Sequence, residues 1–317
     1  MKNISVNKTP KKKLSKSAFT GLTVFMLAVL ILYTLSLFGL LFYGFITSFK
    51  CGIVGTLEYR LEYMPGNPYG LPKTWYWNFT FVFQNFIVQG TDPMGVGAPI
   101  KVGMVEMFGN SILYALGCSF AKVVVTCLVA YLCSKYENWC SKIVYVIVVV
   151  TMIIPVVGSQ AAEIQLAKEL LLYDHIWGMW IMRANFLGMY FLVFYAVFKS
   201  MPKGYYEAAT IDGANDMQVM LKIALPLVKY TFLSIFLILF IEYWNDYLIP
   251  NLYLPSYKTL SLALYQQSQA QELKINKIAQ VTYVMTTVLL VTIPVVTVFA
   301  IFSKRLMGNL SVGGLKG

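Results

Sequence analysis

Residues 201–227 read MPKGYYEAATIDGANDMQVMLKIALPL. Pro202 and Pro226 bracket the stretch, and proline is a natural helix boundary. Asp212-Gly213, near its middle, is a turn signal. The flanks, Tyr205–Ile211 and Asn215–Ala224, are rich in apolar and helix-forming residues. In the second flank Met217, Met220, Leu221 and Ala224 recur at helical spacing. The pattern predicts two short helices joined by a tight turn. Ala208, Ala209 and Gly213 lie near the tip, where small residues admit the close approach of another backbone.

Outward from this stretch the chain is apolar. Of its 317 residues 58% are hydrophobic and only 12% charged, and the mean hydropathy is +0.65. A soluble domain carries about 25% charge. A chain this apolar belongs in lipid, where a helix of about 20 residues crosses the hydrocarbon. Six candidate spans follow. The first occupies the uncharged run from Ser17 to Phe49. The second runs from about Met107 to Ser134 and holds one charge, Lys122. The third starts near Ile143 and passes Pro155 before Glu163. The fourth covers Ala184–Phe198, with an earlier start at Ile176 open. The fifth runs from Leu227 to Ile249, and the sixth from Ile278 to Ser303. The expected architecture is all-α and integral to the membrane. A tail of residues 1–16 precedes a six-helix domain at 17–304, and a second tail covers 305–317. The first apolar run is too long for the h-region of a cleavable signal.

Six spans place both termini on one side. Of the 25 lysines and arginines, fifteen lie in the tails and the two short loops on that side. Nine are spread over the longer opposite loops, and Lys122 lies in a span. The positive side faces the cytoplasm, so the hairpin at 202–226 is cytoplasmic and the loop at 50–106 external. The net charge of +11 follows the ends of the spans, which argues against nucleic acid as a partner. The external loop carries Pro65, Pro68, Pro72 and Trp75-Tyr76-Trp77. Two readings stand for it: a surface that meets an external partner, or an interfacial aromatic belt.

No catalytic or metal constellation is evident. Cys51, Cys118, Cys127, Cys133 and Cys140 are odd in number and contain no CxxC pair. GxxxxGK[ST], HExxH and GxSxG are all missing from the sequence, so the chain has no P-loop with which to hold ATP. His175, the one histidine, lies beside Asp174 in an external loop and reads as a solvated side chain.

The hairpin then meets a known pattern. Glu207-Ala208-Ala209, three residues, Gly213, nine residues and Ile223-x-Leu225-Pro226 resemble the EAA signature of ABC importer permeases. Ile211-Asp212-Gly213-Ala214 is similar to the IDGA form of the carbohydrate permeases, and Trp244-Asn245-Asp246-Tyr247-Leu248 to their WND-type segment. The ending Gly308–Gly317 resembles the glycine-rich tail of MalG-like subunits, which distinguishes them from MalF-like ones. The first external loop is longer than in the simplest members. The resemblance implies a type I ABC importer permease fold with a cytoplasmic coupling helix–turn–helix at 202–226. It also implies a non-catalytic subunit of a bacterial plasma-membrane importer for a sugar or oligosaccharide.

The implied partners are an ABC ATPase dimer, a second MalF-like permease and an extracellular solute-binding protein. No cofactor is expected on this chain, since ATP and magnesium belong to the ATPase. Glu207, Ala208, Ala209, Asp212, Gly213, Ile223, Leu225 and Pro226 are the implied coupling residues. Glu207 docks by charge and hydrogen bonding, and Gly213 makes the turn.

For the solute path the residues themselves give a candidate. Charged groups within a span cost about 2.5–3.5 kcal/mol each, so they face protein or water. Glu242, Asn245 and Asp246 fall at i, i+3 and i+4, one face of a helix, with Tyr243 and Trp244 beside them. That face either lines a cavity for a hydroxyl-rich ligand or binds a neighbouring helix. Lys122 either pairs with a carboxylate or, the favoured reading, snorkels toward the cytoplasmic end. Ser159, Gln160 and Tyr265-Gln266-Gln267 are further polar candidates. An importer of a non-sugar solute remains an alternative. A stand-alone transporter predicts internal repeats, and no clear repeat is present.

Overall fold

The structure is a computed structural model and describes residues 21–49, 77–90, 100–154, 158–202, 204–270 and 277–307. The Lys11–Lys13 cluster, Trp75, Tyr76 and the ending Gly308–Gly317 lie outside the described residues. So does the first half of the long external loop.

Among the described residues four helices are long and apolar enough to cross a membrane: Thr23–Ser48, Met104–Lys135, Asp216–Asn245 and Thr282–Phe302. The first belongs to α1 (Gly21–Ser48) and the last to α13 (Lys277–Met307), and these two pack side by side. The described part of the loop at 50–106 forms α2 (Trp77–Asn85) and an antiparallel pair, β1 (Ile87–Gly90) and β2 (Ile100–Gly103), in register Ile87 opposite Gly103.

The centre of the bundle is α3 (Met104–Lys135), against which α6 (Ile176–Arg183), α7 (Met189–Lys199) and α10 (Leu225–Asn245) pack. One glycine sets the α3–α6 contact. A Cβ on Gly117 would lie 1.9 Å from Nε1 of Trp180, and that nitrogen donates to the Leu113 carbonyl at 3.0 Å. The indole therefore rests directly on the backbone of α3.

Two expected spans are broken, each for a backbone reason. The third was expected to run past Pro155 as one helix. Instead α4 (Trp139–Ile153) stops, Ile154 is extended (φ −85°, ψ 112°), and α5 (Gln160–Glu169) starts afresh. The residue before a proline is driven out of the helical region by the pyrrolidine ring. Gly158 then adopts φ +87°.

The fourth span does not run back unbroken to Ile176: α6 ends at Arg183, and α7, which carries most of the expected Ala184–Phe198 stretch, starts at Met189. Gly188 has φ 123° and ψ −173°, a conformation essentially confined to glycine. Non-helical backbone at membrane depth must find partners within the protein. Here the Asn185 carbonyl accepts from the Thr126 hydroxyl of α3 at 3.3 Å.

The fifth span is longer at its N-terminal end than expected. Helix α9 (Asp216–Val219) continues through a π-turn at Met220–Ala224 into α10. The Leu225 N–H bonds five residues back, to the Met220 carbonyl. Proline cannot donate, and its ring crowds the carbonyl four residues earlier. The wider turn leads into Pro226 at the start of α10, so the proline joins two helical stretches where it was expected to separate them. Beyond α10, α11 (Leu248–Tyr253) and α12 (Leu260–Ala270) lead to α13, which carries Pro294 within it.

Candidate functional site

The hairpin at 204–224 has a closed hydrogen-bonding scheme. Helix α8 (Gly204–Ile211) ends at Gly213, whose φ is +78°. The Ala214 N–H reaches back to the Ala209 carbonyl at 2.9 Å, and the Gly213 N–H to Thr210 at 3.0 Å. This pair of bonds around a left-handed residue is the Schellman termination. One residue later the next helix is already capped. The Gln218 N–H donates to the Asn215 side chain at 2.8 Å, and the Gln218 side chain accepts from the Asn215 N–H at 3.0 Å. Such a reciprocal capping box satisfies two otherwise orphaned donors. The turn 212–215 is thus fixed from both sides, and α8 and α9 are held at a set angle.

Between them lies a concavity of 590 Å³. Among its lining are Ala208, Ala209, Asp212, Gly213 and Ile223 of the expected coupling residues, joined by Tyr205, Gln218 and Lys222. Ala209 is buried, whereas Ala208, Asp212 and Gly213 are exposed. Glu207 is exposed but does not line the concavity, and neither do Leu225 or Pro226, which lie farther along where α10 begins.

The base of the hairpin is tied to the bundle. Tyr206 lies 6.5 Å from Tyr131 of α3, centroid to centroid, and Tyr131 meets Phe198 of α7 edge-on at 5.4 Å. Lys135, the last residue of α3, places Nζ 2.6 Å from Oδ1 of Asp216. The Tyr136 hydroxyl donates to the other oxygen of the same carboxylate at 2.5 Å. That hydrogen bond holds the Tyr136 phenol above its ordinary titration range. Sequence reasoning missed these contacts. Asn215 and Gln218, at cap and N3 spacing, were a legible signal for the box. The Lys135–Asp216 pair joins positions far apart in the chain and left no such signal.

The expected solute-path residues divide. Helix α10 ends at Asn245, and Asp246 is extended (φ −70°, ψ 121°), so Asp246 does not continue the face of Glu242 and Asn245. Its carboxylate accepts from the Tyr114 hydroxyl at 2.8 Å and from the N–H groups of Leu248 and Ile249 at 3.0 and 3.1 Å. It thereby joins α3 to the start of α11. Tyr243 and Trp244 are buried. Tyr243 meets Tyr114 edge-on at 5.9 Å, and the Trp244 indole donates to the Val291 carbonyl of α13 at 3.2 Å. Glu242 and Asn245 remain exposed, and the Asn245 amide donates to the Ile241 carbonyl at 2.8 Å.

Lys122 is half-buried and forms no ion pair among the described residues, although the Glu242 carboxylate acts on it electrostatically. Glu163 accepts from Ser159 at 2.7 Å and from Tyr253 at 3.3 Å. Tyr265 stacks on Tyr247 at 4.3 Å, and Gln266 donates to Asn251 at 3.4 Å. His175 is exposed, with Nδ1 2.9 Å from the Tyr173 carbonyl. Its neighbour Asp174 is buried and accepts the Ser256 N–H at 2.9 Å. Among the described residues no group of three or more His, Cys, Asp or Glu side chains is placed to hold a metal ion.

Residues 122–309 match the family described as "Binding-protein-dependent transport system inner membrane component". The chain belongs to that family. The permease is 23% identical over 254 residues to the diacetylchitobiose uptake system permease protein NgcG of Streptomyces coelicolor, covering 78% of this chain and 76% of that one. It is 26% identical over 214 residues to the maltodextrin transport system permease protein MdxG of Bacillus subtilis, covering 66% and 75%. A chain from the crystal structure of a bacterial ABC transporter that imports the acidic polysaccharide alginate superposes with a TM-score of 0.66 at 21% identity, covering 91% of this chain and 99% of that one. The permease therefore has the type I importer fold. It is a multi-pass, non-catalytic membrane subunit of an ABC transport system, and its family implies an ATPase, a second permease and a binding protein as partners.

Proposed function

We propose that this permease carries a sugar or oligosaccharide inward, taking it from an extracellular binding protein and drawing energy from a separate ATPase that holds ATP and magnesium. The observation that carries the coupling half of this reading is the double-capped hairpin around its 590 Å³ concavity. A concavity floored by alanine and glycine admits a partner's backbone or helix end closely. Fixed caps let it transmit a push without melting. The carbohydrate half rests on relatives named for diacetylchitobiose and maltodextrin and on the IDGA and WND-type segments.

In this reading the partner permease is a MalF-like subunit and the pair is a heterodimer. The broken third and fourth elements complete a six-span domain over 17–304. Both termini and the hairpin face the cytoplasm of a bacterial cell. Glu207, Ala208, Ala209, Asp212, Gly213, Ile223, Leu225 and Pro226 form the coupling segment. The solute path uses Glu242 and Asn245, the exposed pair at the end of α10, with Tyr243, Trp244 and Asp246 holding that end in place.

The test is purification of the chain from its native membranes in mild detergent, followed by saccharide uptake in vesicles rebuilt from the components. Co-purification of a P-loop ATPase and a second permease is expected. Gly213→Arg, which fills the concavity, is expected to abolish uptake while the chain still inserts. Uptake unchanged by that substitution overturns the coupling assignment. Uptake of a non-sugar solute alone overturns the substrate class.

A further inference from the structure

A groove lies where α4 begins and α7 ends, at the same face of the membrane as the hairpin. Two cavities make it up, of 350 and 560 Å³, sharing Tyr145, Tyr195 and Lys199 as common walls. The rings of Tyr145 and Tyr195 stand 5.1 Å apart, centroid to centroid. Lys142 and Ser141 close one end, while Leu192 and Ala196 floor the other. Two helix ends thus bring two lysines and two tyrosines to one place, above an apolar floor.

We infer that this groove binds the headgroup of an anionic phospholipid, with its phosphate between Lys142 and Lys199 and an acyl chain along α4. Three features select that occupant. The first is charge. Lys142 forms no ion pair among the described residues, and Lys199 reaches Glu137 only at 3.9 Å while donating to the Tyr195 hydroxyl at 3.3 Å. Both lysines are exposed, Lys142 faces the cavity without a counter-charge, and Glu137, which lines the same cavity, shares Lys199 with the phosphate. The second is depth. Trp139, 72% exposed at the first turn of α4, and the two tyrosines mark the level of the membrane interface, where such amphipathic rings settle. The third is the way out of the groove. Ile143, Val146, Ile147 and Val150 form an exposed apolar strip along α4, running from the lysine level into the membrane. A soluble anion satisfies the lysines but leaves this strip bare, and a neutral lipid covers the strip but leaves Lys142 without a counter-charge and Lys199 with Glu137 alone at 3.9 Å. Basic pockets between helices at the cytoplasmic side bind acidic headgroups on these grounds.

The test uses the assembled transporter, with its second permease and ATPase. It is placed in nanodiscs of equal phosphatidylglycerol and phosphatidylcholine and read by native mass spectrometry for retained lipid. Each lysine near the surface is expected to contribute about a fivefold preference for the anionic lipid. Lys142→Gln with Lys199→Gln is expected to remove the preference. Lys142→Arg with Lys199→Arg, equally unlikely to disturb folding at these exposed positions, is expected to keep it. Inorganic phosphate alone is expected not to displace the lipid. The inference is overturned if wild type shows no preference or if the glutamine pair retains it. It is overturned equally if phosphate alone empties the site. Retention by the isolated chain but not by the complex also sinks it, since a protein partner then covers the groove.

Discussion

Lys135 and Asp216 stand 2.6 Å apart and join the C-terminal end of the central helix α3 to the first residue of the hairpin's second helix. Besides the Tyr206–Tyr131 ring contact, the hairpin is joined to the bundle by the continuous backbone through the π-turn into α10 and by this clamp, with Tyr136 on the second carboxylate oxygen. The clamp adds a charged link from the hairpin to α3.

Asp216→Asn is expected to leave folding nearly unchanged, because an exposed ion pair is worth about 0.2–1 kcal/mol. Its effect belongs in coupling, as less solute imported per ATP hydrolysed by the reconstituted transporter. Exchanging the charges, Lys135→Asp with Asp216→Lys, is expected to recover part of that ratio. An unchanged ratio in Asp216→Asn means that the clamp is incidental.

Gly213 offers a separate handle. Its φ of +78° costs a residue with a Cβ about 1–2 kcal/mol, while nothing lies within 4 Å of where that Cβ would stand. Gly213→Ala should therefore loosen the turn by strain alone, visible as faster hydrogen exchange across 204–224. Gly213→Asn, which tolerates this conformation better, should lie between the two. Equal exchange in all three would show that the caps hold the turn regardless of its backbone preference.

Two glycines of α3 make opposite forecasts. At Gly117 an added methyl meets the Trp180 indole at 1.9 Å, so Gly117→Ala should push α6 away and destabilise by about 1–3 kcal/mol. At Gly109 nothing lies within 4 Å, so Gly109→Ala should stabilise the helix by about 0.5–1 kcal/mol. Thermal unfolding in detergent, followed by fluorescence, checks both, and a shared sign would contradict the α3–α6 packing described above.

Lys258, buried in the loop between α11 and α12, carries a pH prediction. Burial holds its titration below the ordinary lysine value, partly offset by Asp174. The folded state thus binds the proton less tightly than the unfolded one, and stability rises with pH through the window below 10.5. Lys258→Met should remove that slope and raise the melting temperature at neutral pH. Melting curves between neutral and alkaline pH, identical for both proteins, would show that the ammonium is solvated.

The hairpin was legible because its determinants are local: a glycine one turn from the preceding helix and a cap-and-N3 pair within four residues. The same holds for the long apolar runs, since hydropathy needs no knowledge of neighbours. The breaks were less legible. Pro155 announced the first, but the second at Gly188 depends on Thr126, far away in sequence, to receive the freed backbone. The solute-path face failed as a continuous stripe for a similar reason. Helical spacing placed Asp246 with Glu242, yet the Tyr114 hydroxyl and two N–H groups of α11 draw that carboxylate out of the helix.

By itself the sequence determined that the chain lives in a membrane, where its long helices lie, and that a capped helical hairpin sits between them. These follow from composition, periodicity and turn chemistry, which act over a few residues. The tertiary structure alone decided which polar groups remain open to a ligand and which are consumed in holding the bundle. It likewise decided that Lys135 meets Asp216 and that Lys142 and Lys199 share a groove. Those outcomes depend on which helix ends arrive at the same depth, and packing of side chains such as Trp180 on Gly117 sets that depth.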